Sequence, residues 1–357
     1  MYSFQSSVII QKQSRLLPMR WISFAVIVIF LSCSNKKDAP DVSHIKIDVA
    51  VQRFDRDFFA LDTAQLQSSL QHIEKKYPNF LQIYFEYFAP VREIAAQNNT
   101  SFDSGLLIYF RFIKPLADSV NLKFSNTDRI EKELENNLRY VKHYFPTFKV
   151  PVVLTSVEGF NPDDPTEIWG TTYYDDKLVI SLQMFLGKDY SGYSATLYPD
   201  YIRRRFEPEY ILPNSIRAIV GELYADTSQN SSLIEQMIEK GKQWWLMKKL
   251  IPGVADSLIT GYTARQMEDI TREEGNIWGV ITQNENLFSI DVEVLKSYLG
   301  EGPFTPTLPQ GAPGKIGPWL GWRIIEKFED ENSEMSVDQI LKTTAKKIFQ
   351  QAKYKPK

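Results

Sequence analysis

The single cysteine of this chain, Cys33, sets the strongest limit on how the chain can fold. With one cysteine in 357 residues, no internal disulfide can form, so hydrophobic packing must hold the folded state together. The roughly 320 residues after Cys33 suffice to bury about three quarters of the unfolded surface. The formal charge of −3 gives no electrostatic reason to expect a nucleic-acid partner. We therefore expect a globular protein with a large core and no nucleic-acid-binding role.

The N-terminus predicts export and lipidation. Arg15 and Arg20 precede the uncharged run WISFAVIVIFL at residues 21–31. Eleven helical residues span only ~16 Å, which is too short to cross a bilayer but typical of a signal-peptide apolar region. The run leads into Leu-Ser-Cys, which resembles a lipobox. We predict a lipoprotein signal peptide at 1–32 with lipidation of Cys33, an ordinary signal peptide being the alternative.

The start codon, the segment after Cys33 and the expected location of the domain can also be inferred from this end of the chain. Met19 would give a leader of more usual length than Met1. Residues 33–44 are polar and lack aromatic residues, as expected for a lipidated tether. Two lysines, Lys36 and Lys37, follow soon after the cysteine. Some bacterial lipoproteins carry an acidic surface-export signal at this position, and by that resemblance we expect this domain to face the periplasm from the outer membrane.

Residues 45–357 read as one α+β domain, dominated by helices, with a small central sheet. Thr63, Thr127, Thr263 and Ser336 precede periodic segments as predicted helix starts. Strands are predicted at 45–51, 150–156, 168–174 and 177–183, and the predicted C-terminal helices are 215–226, 231–249, 263–282, 314–328 and 336–351.

The predicted helix 215–226 is where catalytic chemistry would be easiest to place. Zinc peptidases carry H-E-x-x-H on a buried helix that follows a small sheet. Aligned on its glutamate, this chain reads Gly221, Glu222, Leu223, Tyr224 and Ala225. Gly221 and Ala225 offer no donor side chain, and Lys240 stands where a third, carboxylate ligand would be. We expect Glu222 to cap or pair within a structural helix, and we predict neither a catalytic nor a metal site.

Other signatures of chemistry are weak. The three histidines, His44, His72 and His143, all precede the C-terminal helices, so no histidine-based metal site can assemble there. The carboxylate pairs at 163–164 and 175–176 occur in turn-like contexts typical of solvated loops, although the first could hold calcium weakly.

Small residues recur in PGKIGPWLGW at 313–322. Gly314, Gly317 and Gly321 would lie on one face of the predicted helix and allow another helix to approach closely. The alternative is a partner-binding groove flanked by Trp319 and Trp322, and we favour packing within the chain.

Seven stretches together resemble the gliding-motility lipoprotein GldB family of Bacteroidetes. They lie at 51–61, 140–151, 180–190, 198–206, 237–253, 313–322 and 352–356. The resemblance implies an envelope lipoprotein that supports gliding motility and type IX secretion through protein contacts. It also implies a zincin-like peptidase fold whose metal ligands have been lost, consistent with Gly221, Ala225 and Lys240. Cys33 matches the lipidated cysteine of the family. The resemblance implies a covalent lipid on this residue and no other cofactor.

Two other functions remain open from the sequence. One is an atypical metallopeptidase that uses Glu222. The other is a peptide-binding module that retains a zincin cleft, in which the strand at 177–183 would pair with an extended peptide.

Overall fold

The structure, a computed structural model, describes residues 39–160, 169–283, 286–308 and 311–357. Cys33, the predicted signal peptide and the carboxylate pair at 163–164 lie outside these ranges. The described residues form the predicted α+β fold, in which helices surround one small sheet. Val42, which the sequence assigns to the tether, is buried against this domain.

Sixteen α-helices are present in the described residues. They are α1 Phe54–Phe58, α2 Leu66–Lys76, α3 Phe80–Tyr87, α4 Val91–Gln97, α5 Phe102–Lys123, α6 Asp128–Tyr144, α7 Asp200–Arg203, α8 Ile211–Leu223, α9 Leu233–Leu250, α10 Asp256–Thr260, α11 Ala264–Arg272, α12 Glu274–Gln283, α13 Val292–Leu299, α14 Ile316–Glu331, α15 Val337–Lys342 and α16 Ala345–Ala352.

The sheet has four strands in the order β1-β2-β4-β3. They are β1 Val51–Gln52, β2 Val152–Ser156, β3 Thr171–Tyr174 and β4 Lys177–Ser181. The strands β1, β2 and β4 are parallel, and β3 is antiparallel to β4. Because β4 is paired on both sides, it cannot add a peptide strand, so the sequence-based choice of 177–183 as a peptide-pairing edge is wrong. Leu178, Val179 and Ile180 are fully buried, as expected for an interior strand covered on both faces.

A two-residue turn joins β3 to β4. Asp175 and Asp176 have φ values of 49° and 55°, the left-handed conformation that a type I′ hairpin turn requires at both central positions. Their carboxylates pair with Lys177 and Lys149 at the surface. The turn predicted for this acidic pair is therefore confirmed.

The segment at 51–61 builds the aromatic part of the core. Phe54 stacks on Phe58 at 5.4 Å between ring centroids and meets Phe80 edge-on at 4.7 Å. Between these rings, the buried Asp55 forms two hydrogen bonds with Arg53, at 2.9 and 2.8 Å, and accepts a third from the Thr155 hydroxyl. The hydrogen bond from Thr155 thus joins β2 to α1, and the local ion pair with Arg53 balances the charge of the buried carboxylate.

Two predicted C-terminal helices are each divided in two. The predicted helix 263–282 breaks at Glu273, and the next residue, Glu274, is held by Arg323 at 3.1 Å and by the Tyr354 hydroxyl. These tertiary contacts hold the first residue of α12. The predicted caps Thr263 and Ser336 are confirmed, because each forms a capping box.

The predicted helix 336–351 breaks at Thr343. Thr344 caps α16 through its side chain, and the carbonyl of Thr343 turns away to accept a 2.7 Å hydrogen bond from the buried Lys242. A lysine 101 positions away in the sequence thereby interrupts a locally helical pattern.

The N-terminal predictions need two corrections. Residues 45–51 alternate in burial as predicted, but only Val51 and Gln52 pair with another strand. Thr63 does not cap α2: it begins a 3₁₀ turn, Thr63–Gln65, which Asp62 caps by accepting the Ala64 N–H at 2.9 Å, and α2 follows this turn.

Candidate functional site

The degenerate motif lies at the exposed C-terminal end of α8. Gly221, Glu222 and Ala225 are exposed, and α8 spans Ile211–Leu223, so the predicted helix 215–226 starts four residues too late and ends three residues too late. The helix ends there because Tyr224 leaves the helical conformation, donates its hydroxyl to Glu239 and accepts a hydrogen bond from Gln243 at its carbonyl. The two positions that would hold metal ligands therefore do not share one helix.

Lys240 occupies this region with an ion pair. Its ammonium lies 2.6 Å from the carboxylate of Asp226, just beyond α8. Burial alone would raise the pKa of Asp226, but hydrogen bonds from Lys240 and Ser228 lower it below its usual value. The pairing predicted for Glu222 is not seen among the described residues; Asp226 takes that part instead.

A second lysine connects α8, α9 and α15. The side chain of Lys242 is only 1% exposed, and its ammonium lies 3.0 Å from the Tyr224 hydroxyl and 2.9 Å from Glu239. It also donates to the carbonyls of Leu341 and Thr343. Burial lowers the pKa of Lys242, while Glu239 opposes that shift. Through these polar contacts, Lys242 holds the end of α8 and the end of α15 against α9.

The glycine segment packs α14 against α9. A Cβ on Gly321 would lie 1.8 Å from the carbonyl oxygen of Met237, and a Cβ on Gly241 would lie 2.3 Å from the backbone of Gly321. Gly317 also faces this contact, whereas Gly314 precedes the helix and packs against Gly302.

Trp319 and Trp322 are each only 2% exposed. The structure therefore places both indoles in the interior, and they do not flank an exposed groove.

Three cationic side chains surround one tryptophan at a place that the sequence did not single out. The Trp169 ring centroid lies 4.2 Å from the Arg217 guanidinium carbon, 4.8 Å from the Lys315 ammonium and 5.3 Å from the Arg205 guanidinium carbon. One carboxylate, Glu301, pairs with both Arg205 at 2.7 Å and Lys315 at 2.6 Å. We call these five residues the cationic cluster.

Separate elements position the cluster. The carbonyl of Trp169 accepts a 2.7 Å hydrogen bond from the buried Asn214 of α8, and Gly170 turns the chain with φ +60°. Arg217 also projects from α8, and its Nη2 donates to the carbonyl of Ile259. Gly261, which follows α10, leaves room for Arg205, since a Cβ there would lie 2.5 Å from its Nε.

The cationic cluster carries more positive than negative charge, and the pKa values of three of its members are shifted. Burial, together with Arg205 and Arg217, lowers the pKa of Lys315 to about 8 although Glu301 opposes the shift. Burial and Arg205 likewise lower the pKa of Arg217 to about 10. Burial would raise the pKa of Glu301, but Lys315 and Arg205 lower it to about 2.

A second polar group lies at the carboxyl ends of β2 and β4. Glu158 is 8% exposed, and burial raises its pKa. Its Oε2 and the side-chain amide of the buried Gln183 have no hydrogen-bond partner among the described residues. The hydroxyls of Ser156 and Ser181, which lie 3.3 Å apart, lower the pKa of Glu158 and so oppose the effect of burial.

No group of three or more His, Cys, Asp or Glu side chains in the described ranges has a geometry that could hold a metal ion. Within the same ranges, no helix is both long and apolar enough to span a bilayer.

Comparison with known proteins gives one match. No curated protein and no solved structure matches the chain, so its predicted relation to zincin peptidases stays a prediction. The family model of the gliding motility protein GldB matches residues 35–356, which is nearly the whole chain after the predicted lipidation site. The chain therefore belongs to the family of the gliding motility protein GldB.

Proposed function

We propose that this protein is a lipid-anchored, non-enzymatic component of the cell envelope that supports gliding motility and type IX secretion through protein contacts. Membership of the family supports the role in motility. The short apolar run and Leu-Ser-Cys pattern before Cys33 support the lipid anchor, with the domain in the periplasm on the outer membrane.

The observation that carries the non-enzymatic part is the junction of α8 and α9. If the chain were an active zincin peptidase, its metal ligands would lie at positions 221, 225 and 240. Here Gly221 and Ala225 offer no donor, and the ammonium of Lys240 lies 2.6 Å from Asp226. A cation in that position opposes the binding of a second cation.

An exposed apolar segment supports action through protein contacts. Phe288, Ile290 and Val292 are 69%, 70% and 72% exposed within five consecutive residues. Exposed apolar side chains that cluster in this way are typical of surfaces that bind another protein. We call residues 288–292 the apolar segment and propose it as part of the contact surface.

Genetic replacement tests the anchor and the absence of catalysis. In a strain that lacks the protein, we expect Glu222→Gln to restore colony spreading and the secretion of type IX cargo, and Cys33→Ala to restore neither. A Glu222→Gln protein that fails to restore either function, together with one zinc per purified wild-type chain, would establish the atypical peptidase instead.

A matched pair of surface variants tests the contact surface. We expect Phe288→Ser with Val292→Ser to abolish spreading while the protein stays folded and abundant. The control replaces Phe112 and Leu122 of α5, which are 79% and 85% exposed, by serine. Loss of spreading in the control alone would move the contact surface to α5, and full spreading in both would refute a role for exposed apolar contacts.

A further inference from the structure

We infer that the cationic cluster is a binding site for a phosphate group, held by Arg205, Arg217 and Lys315 beside the ring of Trp169. This inference is independent of the proposed function, because it rests on the charge and the hydrogen-bonding capacity of the cluster.

Buried donors without acceptors are the first argument. The Arg205 side chain is only 3% exposed, yet its Nη1 and Nε have no hydrogen-bond partner among the described residues. The Nε of Arg217 is also buried and unpartnered there. A buried donor left unsatisfied loses its hydrogen bond to water without replacement, and the resulting loss of free energy is larger for a charged group. Buried arginine donors of this kind are satisfied when an oxyanion binds between them.

The second argument is the imbalance of charge. Arg205, Arg217 and Lys315 contribute three positive charges around Trp169, and Glu301 contributes one negative charge. The Glu301 and Lys315 side chains are 24% and 23% exposed, so solvent reaches the cluster at this ion pair. An anion can therefore reach the cluster from that side, and two further negative charges would neutralise it.

The third argument is the position of Lys315. Lys315 is the N-cap residue of α14, a helix of sixteen residues whose N-terminus is its positive end, and the Lys315 side chain forms no capping hydrogen bond. Lys315 also has φ +59°, a conformation that costs a non-glycine residue free energy. Lys315 adds positive charge at this positive helix end, and Glu301 balances only part of the charge of the cluster. A further anion would be favoured here, as anions are at helix N-termini.

The number of donors favours phosphate over carboxylate. A phosphate monoester carries about −1.5 to −2 charges at neutral pH and has three strong acceptor oxygens. A carboxylate carries one charge and two oxygens, so it would leave the cluster positive and some of its donors unpaired. Both free phosphate and the phosphate of a small ester or a headgroup share the chemistry that the cluster fits.

Ligand titration of the purified full-length protein in non-ionic detergent tests the inference. We expect inorganic phosphate to raise the unfolding temperature saturably at constant ionic strength and to change the fluorescence of wild type but not of Trp169→Phe. Glycerol 3-phosphate, titrated in parallel, distinguishes an ester or headgroup source from free phosphate by which of the two binds more tightly. Acetate is the probe for carboxylate.

Variants of the cluster supply the decisive comparison. We expect Arg217→Gln and Lys315→Gln each to weaken phosphate binding at least tenfold, while Lys188→Gln, an exposed ion-paired lysine, binds as wild type does. If one cluster variant fails to fold, the other and the wild-type fluorescence titration still decide. Absence of saturable phosphate binding to the wild type, equal affinity in the cluster variants, or tighter binding of acetate would each overturn the inference.

Discussion

The contact between α9 and α14 makes the sharpest stability prediction. In Gly321→Ala, the new Cβ would lie 1.8 Å from the carbonyl oxygen of Met237, whereas ordinary contacts begin at 3.4 Å. The obstacle is backbone, so the two helices must separate by about 1.6 Å, the difference between these two distances, along part of their contact. A gap of even 0.5–1 Å forfeits roughly a quarter to a half of the dispersion energy of each facing pair of atoms.

We therefore expect a loss at the upper end of the overpacking range, about 3 kcal/mol. For a domain of this size, that loss corresponds to a fall of roughly 5 °C or more in unfolding temperature. The assay is thermal and urea unfolding followed by far-ultraviolet circular dichroism.

Gly221→Ala is the matched control. Gly221 is also a glycine within a helix, but no atom lies within 4 Å of a Cβ placed there. This substitution should stabilise the protein by about 0.5–1 kcal/mol, because alanine loses less conformational entropy in a helix. An unchanged or higher stability of Gly321→Ala, or an equal loss in both variants, would refute the backbone-contact reasoning.

Three further predictions follow from single sites. Asp55→Ala should lower the unfolding free energy measured in urea by about 3–5 kcal/mol, because it leaves the charge of Arg53 buried without its partner. A loss under 1 kcal/mol would contradict the burial of that pair. Lys315 has a folded-state pKa of about 8 against 10.5 ordinarily, so the folded protein carries the penalty of the charged lysine below pH 8 and is relieved of it as the pH rises toward 10.5. The unfolding free energy of wild type relative to Lys315→Gln should therefore rise between about pH 8 and pH 10.5, and a flat or falling difference would show that the ammonium is not strained. Asp176→Gly should raise the unfolding temperature slightly, since glycine adopts the φ of +55° in the hairpin turn at no steric cost; a clear decrease would mean that its weak pairing with Lys149 outweighs the backbone strain.

The sequence by itself determined the features that depend on neighbours along the chain. Apolar residues spaced by three and four predict α6, and the helix is found at Asp128–Tyr144 with Ile130, Leu134, Leu138 and Val141 buried. The caps Thr263 and Ser336 were predictable for the same reason, because a capping box joins residues only three positions apart.

The close approach at Gly317 and Gly321 was predictable only in part. The spacing of small residues indicated that another helix packs there, but it did not identify α9 as that helix. The seven stretches likewise indicated the family without indicating where its residues meet in space.

Tertiary structure alone decided the rest. The interior position of β4 follows from a pairing with β2 that no local pattern records, and Lys242 ends α15 through contacts to residues 99 and 101 positions away in the sequence. The cationic cluster joins Trp169, Arg205, Arg217, Glu301 and Lys315 from five separate segments. The sequence around each of these residues gives no sign of a binding site, except that Lys315 directly precedes a helix. A local excess of charge and unsatisfied hydrogen-bond donors arise only when folding brings such residues together and removes the water between them.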